Sequence, residues 1–167
     1  MFDLIRYFFP KSLGNIIETP KDKAAVYDGV IYDRNKIMTH IFESKCRKMN
    51  FQQMSAWGNT WLITLQKLKE CVQVSYLSQV PMLGFLYLIP EETCVMWEIT
   101  DSTGKFKFDF ESKKEETQAT CNGGIANRVN AHLPYDCASL QISHKNGIEL
   151  LPGHKDYCKV KCTTSIE

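Results

Sequence analysis

No stretch of this chain approaches the ~20 consecutive apolar residues that a membrane-spanning helix needs. Charge of either sign is not in excess: 20 Lys and Arg against 19 Asp and Glu leave a net charge of +1. That balance argues against a nonspecific polycation but permits a local basic patch balanced elsewhere. There is no internal repeat, no low-complexity segment and no Pro/Gly/Ser-rich linker, so the 167 residues read as a single domain, 1–167. A close Cys-x₂-Cys pair is also missing. His154, Cys158 and Cys162, with Cys121 and Cys137 upstream, lack the spacing of a structural zinc site, and zinc is not expected. Seven cysteines is an odd number and no secretory leader is in view. Reduced thiols are therefore expected rather than a disulfide scaffold. The opening MFDLIRYFF is too short for a leader's apolar core with a cleavage site. It reads as a packing helix stopped at Pro10. A membrane-surface anchor is the lesser alternative, since Phe2, Ile5, Phe8 and Phe9 can share one face.

What is present is an ordinary globular composition, 44% hydrophobic and 23% charged, with one stretch that organises the rest. Val26 to Tyr32 and Ile37 to Lys45 are apolar-rich, β-branched runs flanking the turn Asp33-Arg34-Asn35-Lys36. The pair reads as a β-hairpin. A symmetric hairpin puts Asp28 opposite Glu43, and Lys45 follows two residues later on the same face. Like charges facing each other at the end of apolar strands are destabilising unless paired or held on a metal. A hard divalent cation such as Mg²⁺ relieves the repulsion. The same residues also read as a surface salt bridge on a solvated edge. Asp33 falls out of step with Asp28 and suits a turn cap. His40 falls out of step with Glu43, on the opposite face.

Asp28, a turn, and then Glu43-Ser44-Lys45 resembles the signature of the PD-(D/E)XK nuclease superfamily, with Tyr27 in place of the name's proline. The likeness covers about residues 15 to 110 and rests on a short motif, strengthened by its place on a hairpin followed by a helix. It implies a restriction-endonuclease-like α/β fold, a central mixed β-sheet flanked by helices. It also implies that Asp28 and Glu43 bind Mg²⁺, or Mn²⁺ in its place, with the Ser44 carbonyl as an extra ligand. Lys45 would position a water or stabilise developing charge. Such families often carry a further acid ahead of the Asp strand, and Glu18, at the end of a first helical segment before Pro20, is the candidate. A solvated helix-end glutamate is its plainer reading.

Lys36, Arg47 and Lys48 are expected to make a basic rim for a phosphodiester backbone. Asn50-x-x-Gln53 resembles a capping box. It opens a predicted amphipathic helix with Met54, Trp57, Trp61, Leu65, Leu68 and Val72 inward and Asn59, Thr60, Gln66, Lys67 and Lys69 outward. Gln53, like Gln52, is also a candidate support for the site or for nucleic acid. Met82 to Ile89 reads as a central strand covered on both faces, returned by Val95 to Ile99. Lys105 to Phe110 alternates strictly and predicts a half-buried strand with Phe106, Phe108 and Phe110 inward. Residues 111–120 are expected as an exposed loop or arm, with Lys113 and Lys114 solvated by default. Gly123-Gly124 then leads a predicted short helix with Ile125, Val129 and Leu133 buried and Asn127 and Arg128 outside. A glycine-led helix start can hold a phosphate. Asn146-Gly147 predicts a tight hairpin.

These readings converge on a Mg²⁺-dependent DNA endonuclease of the restriction or homing, junction-resolving or phage type. It would act as a homodimer on DNA, without membrane association. The expected compartment is cytoplasmic, in a bacterium or as a phage product, or otherwise intracellular. The rival is a non-catalytic nucleic-acid-binding or interaction module on the same fold.

Overall fold

The computed structural model describes residues 1–8, 15–20, 25–118 and 125–151. Along the chain these form α1 (Phe2–Phe8), β1 (Ile16–Glu18), β2 (Gly29–Tyr32), β3 (Met38–Arg47) and α2 (Phe51–Ala56). Then follow β4 (Thr60–Thr64), α3 (Leu65–Ser78), β5 (Met82–Leu88) and β6 (Thr93–Glu98). The chain continues with β7 (Glu111–Gln118), β8 (Ile125–Pro134), β9 (Leu140–Ser143) and β10 (Gly147–Leu150). A seven-stranded sheet runs β1-β2-β3-β5-β6-β9-β10, and a three-stranded sheet runs β4-β8-β7. In the larger sheet only β3 and β5 are parallel; every other neighbour is antiparallel. The molecule is thus α/β with a mixed sheet, as expected. Among the described residues no helix is long and apolar enough to cross a membrane.

The β2–β3 hairpin forms in the expected register, Gly29 against Phe42, Val30 against Ile41 and Ile31 against His40. The alternation of apolar residues fixes it, because a one-residue slip would turn every buried side chain outward. Asp33 caps the turn, its Oδ1 accepting the N–H groups of Asn35 and Ile37 at 2.8 and 2.9 Å. His40 is buried on the face away from Glu43 and touches Thr39 Oγ1 at 3.0 Å.

Two cores flank the large sheet. On one face α1 packs Leu4 and Ile5 against Ile31, Phe42 and Phe85. On the other, α2, α3 and the smaller sheet enclose Ile41, Met54, Trp61, Leu68, Leu86 and Trp97. Parallel β3 and β5 need a crossover, and α2-β4-α3 supplies it. Trp61 stacks on Trp97 at 5.2 Å, and Trp97 Nε1 donates to the Pro134 carbonyl at 2.8 Å, which ties the two sheets together.

Four expected elements differ. The helix predicted from Asn50 through Val72 is broken into α2, β4 and α3. The capping box forms as expected, but Gly58 and Asn59 take φ of 84° and 54°, which ends the helix. Thr60-Trp61-Leu62-Ile63-Thr64 is β-branched and aromatic and pairs with β8 as a strand. The predicted helix at 125–133 is strand β8. Ile125, Val129 and Leu133 are four apart, a spacing that fits a strand's period of two as well as a helix turn. Cross-strand pairing of Leu133 with Trp61 and Ala131 with Ile63 decides it. The exposed arm at 111–118 is strand β7 on the outer edge of the smaller sheet. Residues 105–110 keep the expected alternation of burial but form no strand beyond a Thr100–Phe106 bridge. Phe106 and Phe110 contact edge-on at 4.9 Å and pack against the core from a loop.

The hairpin at Asn146-Gly147 forms as β9–β10, with Gly147 at φ 72°. Gly123, Gly124 and the His154–Cys162 cluster lie outside the described residues, as does Pro10.

Gly84 on β5 pairs with Glu43, and a Cβ there would fall inside the Trp61 ring and 2.9 Å from Ile99 Cδ1. The indole is clamped between core layers and has nowhere to retreat. Gly84→Ala is therefore expected to destabilise the protein by about 1–3 kcal/mol, measured by urea unfolding; an unchanged midpoint would show that Trp61 can move aside.

Candidate functional site

β3 enters the core with Ile41, Phe42 and Glu43 buried and leaves it through half-buried Ser44 and Lys45 to exposed Cys46 and Arg47. Glu43 therefore sits at the last buried position, 1% exposed. Its ladder partner is Gly84, covered by Trp61. Asp28 lies one residue beyond the β2 ladder, its N–H donating to the Phe42 carbonyl at 2.9 Å. Its carboxylate is bound from β3: Ser44 N and Oγ both donate to Oδ2, at 2.9 and 3.1 Å.

The group that joins the two acids is Lys67, in the first turn of α3. Its Nζ lies 2.8 Å from Asp28 Oδ1 and 2.6 Å from Glu43 Oε2. The contact with Asp28 is a hydrogen bond. The contact with Glu43 is a close ion pair off the hydrogen-bond direction, which leaves buried Oε2 without an aligned donor. Lys67 begins the stripe Lys67, Cys71, Ser75 by which α3 faces the sheet, four residues apart each time, and Cys71 and Ser75 are buried. A cation in a helix's first turn opposes the helix dipole, and that turn holds no acid. The two carboxylates across from it offset this cost.

The charges tune one another. Burial pushes the Glu43 carboxyl up from 4.5 to about 7, with the Asp28 charge adding to the effect and Lys67 opposing it. Burial acts on Asp28 as well, but hydrogen bonds from Lys67 and Ser44 outweigh it and hold the carboxyl below the usual range. Lys67 is likewise partly desolvated, yet its bond to Asp28 and the attraction of Glu43 raise its pKa. Lys45 goes the other way: burial lowers it, helped by the nearby Arg47 charge. Lys45 forms no ion pair with either acid; Lys67 takes both.

The expected residues are thus only partly gathered. Asp28, Glu43, Ser44 and Lys45 come together. Glu18 does not end a helix but closes strand β1, exposed and paired with Gly29. That register is one residue out of step with Asp28, so its side chain projects from the other face in a regular strand. Among the described residues no three His, Cys, Asp or Glu side chains form a metal-holding group, so Glu18 does not join the pair. Lys36 stands in the β2–β3 turn, seven residues from Glu43, about 23 Å at 3.3 Å per residue. It does not border the carboxylates. Arg47 and Lys48 do lie beyond Lys45, both exposed. Gln53 is engaged in the capping box with Asn50, at 2.8 and 2.9 Å, on exposed α2. The sequence pattern places Lys67 on the solvent face of a longer helix; its spacing four residues before Cys71 is the signal that could find it.

Comparison with protein-family models, with curated proteins and with solved structures finds no match for this chain.

A buried acid whose pKa is raised weakens the fold as it ionises. Glu43 is about 4.5 when unfolded and about 7 when folded, so the folded state binds the extra proton between those values. Stability is greatest below that window and falls as pH rises through it. The metal-free wild type should lose on the order of 2–3 kcal/mol across it. Glu43→Gln should be flat there and more stable at mildly alkaline pH. Thermal melts of both proteins against pH test this, and parallel curves would show that Glu43 ionises without cost.

Proposed function

We propose that this protein is a divalent-metal-dependent phosphodiesterase acting on DNA, with Asp28, Glu43 and Lys45 as its centre. The observation that carries the reading is a pair of carboxylates, one buried, converging beside a lysine at the point where a strand leaves the core. Such a cluster is expensive: carboxylates in apolar surroundings cost several kcal/mol unless compensated. Its placement, Asp at the end of one hairpin strand and Glu-x-Lys on the next with a helical crossover after it, supports a restriction-endonuclease-like assignment.

The donor set suits Mg²⁺ or Mn²⁺. Asp28 and Glu43 present hard oxygens, Glu43 Oε2 lacks an aligned donor, and a cation already stands between them as Lys67 Nζ. Two carboxylates with water and substrate phosphate complete the shell that Mg²⁺ prefers, with the Ser44 carbonyl as the further ligand of the resemblance. When bound, such an ion polarises the phosphate and lowers the pKa of a coordinated water. The protein's own residues do the rest. Ser44 fixes the Asp28 carboxylate through Oδ2 and leaves Oδ1 turned toward the cation position. Trp61 packs over Gly84, the ladder partner of Glu43. Lys45, partly desolvated and unpaired, orients the attacking water or holds the developing phosphate charge. Arg47 and Lys48 meet the flanking phosphates. A homodimer would set two such centres on two strands.

The second reading, a non-catalytic nucleic-acid-binding or interaction module, draws on Lys67 itself, since an internal cation already pairs with both acids. Incubation with supercoiled, linear and branched DNA, in Mg²⁺ or in EDTA, separates the two. Cleavage in Mg²⁺ alone is expected. Asp28→Ala, Glu43→Ala and Lys45→Ala should each lower it by at least about 10²-fold while the proteins stay folded. Full activity in Glu43→Ala would remove this site from the reaction.

DNA affinity should be separable from cutting. Arg47→Gln is expected to weaken binding to all sequences alike and to lower the log–log salt slope by about 1. The check is a salt titration in Ca²⁺ or EDTA, and an unchanged slope would take Arg47 off the interface.

A further inference from the structure

We propose that Lys67 is a built-in counter-cation, occupying the place of the divalent ion between Asp28 and Glu43, and that it must leave before that ion binds. The inference rests on the metal-dependent reading above and adds a control element to it. Its ground is geometric. One ammonium touches an oxygen of each acid, at 2.8 and 2.6 Å. Those are the oxygens that face each other, because Asp28 Oδ2 is already held by Ser44. A second cation cannot enter the same gap without strong repulsion.

Three features make Lys67 able to move while the carboxylates stay. Lysine is a compact charge on a flexible stem. Lys67 and Asp28 are each about 30% exposed, so the ammonium has a path to water, whereas Glu43 is sealed in. The acids are fixed from the sheet, Asp28 by Ser44 and Glu43 by its place in the β3–β5 ladder, while Lys67 comes from a different element, α3. Displacement therefore needs only a side-chain rotation. The released ammonium lies at the mouth of the site, where an incoming phosphate attracts it. Metal and anionic substrate would then favour the same displaced position of Lys67 and assist one another's binding. The empty site keeps a cation between its two acids, so stray divalent ions compete against a charge already in place.

The test uses Mn²⁺ as probe, with binding to the full chain followed by calorimetry and by loss of the free-ion electron paramagnetic resonance signal, at mildly alkaline pH. Lys67→Met keeps the length of the stem without the charge; Lys67→Arg keeps the charge. A neighbouring opposite charge shifts a carboxylate's cation affinity by about one to three powers of ten. Lys67→Met is therefore expected to bind Mn²⁺ about tenfold or more tighter than wild type, and Lys67→Arg much as wild type does. The Met variant should also melt lower without metal and recover most of the difference with it, which a merely structural lysine would not produce. A second measurement needs no variant: in wild type, the Lys67 side-chain NMR signals should move toward free-lysine positions as Mg²⁺ saturates the site. Equal or weaker Mn²⁺ binding by Lys67→Met, or Lys67 signals that stay fixed at saturation, overturns the displacement while leaving the metal reading in place. No Mn²⁺ binding by any of the three proteins overturns both.

Discussion

The burial of one carboxylate sets the terms for this molecule. Glu43 ends the buried part of β3, and its ion pair comes from outside the large sheet. The cation comes from α3, so α3 must lie across β3 with its first turn over the acid. That position is reached through the crossover that joins β3 to β5, and the parallel pairing of those strands is the price of it. Trp61 closes the remaining side because Gly84 leaves room for the ring. The same contacts that make Glu43 costly therefore hold the two sheets and the long helix in register.

How far the fold was legible depends on whether a local period was unambiguous. The β2–β3 hairpin is readable in register from Gly29 to Ile31, where alternation allows one pairing; toward the turn a bulge after Ile31 pairs Tyr32 with Met38 instead. The central strands β5 and β6 were readable from continuous apolar runs. β8 was not: residues four apart satisfy both a helix and a strand, and only the pairing of Trp61 with Leu133 chooses. The single long helix failed at Gly58-Asn59, where two left-handed residues in succession outweigh an otherwise helical pattern. Phe106, Phe108 and Phe110 were correctly inward, yet alternating burial does not require a ladder, and a loop pressed on the core achieves it.

The site was legible to the extent that it is local. Asp28, Glu43 and Lys45 lie within one hairpin, and their approach follows from strand geometry. Lys67 is 24 positions beyond Glu43 in the sequence and meets it only through tertiary packing, which no window of sequence contains. Lys36 stands apart from the carboxylates for a simple reason: nearness in sequence is not nearness in space when an extended strand carries the chain away at ~3.3 Å per residue. Glu18 fails for the related reason that its segment is a strand, with alternating faces, rather than a helix end.

The two lysines bear on what kind of cluster this is in physical terms. If the acids served only stability, well-packed apolar residues in their place would do as well or better, since buried ion pairs seldom repay their desolvation. A cluster kept for structure would also have no use for a second lysine beside it without an acid of its own. Lys45 is that lysine. It is half-buried, its charge is disfavoured by burial and by Arg47 though attracted by Glu43 and Asp28, and it forms no ion pair with either carboxylate. Asp28 and Glu43 meanwhile are driven apart in acidity by their surroundings, one held ionised by Ser44 and Lys67, the other retaining a proton to about 7. Groups of one chemical type with separated acidities are a pattern that acid–base chemistry uses, which supports the proposed reading. On that reading Lys67 holds the acids and Lys45 would be left for the substrate, a division that a salt bridge alone has no reason to maintain.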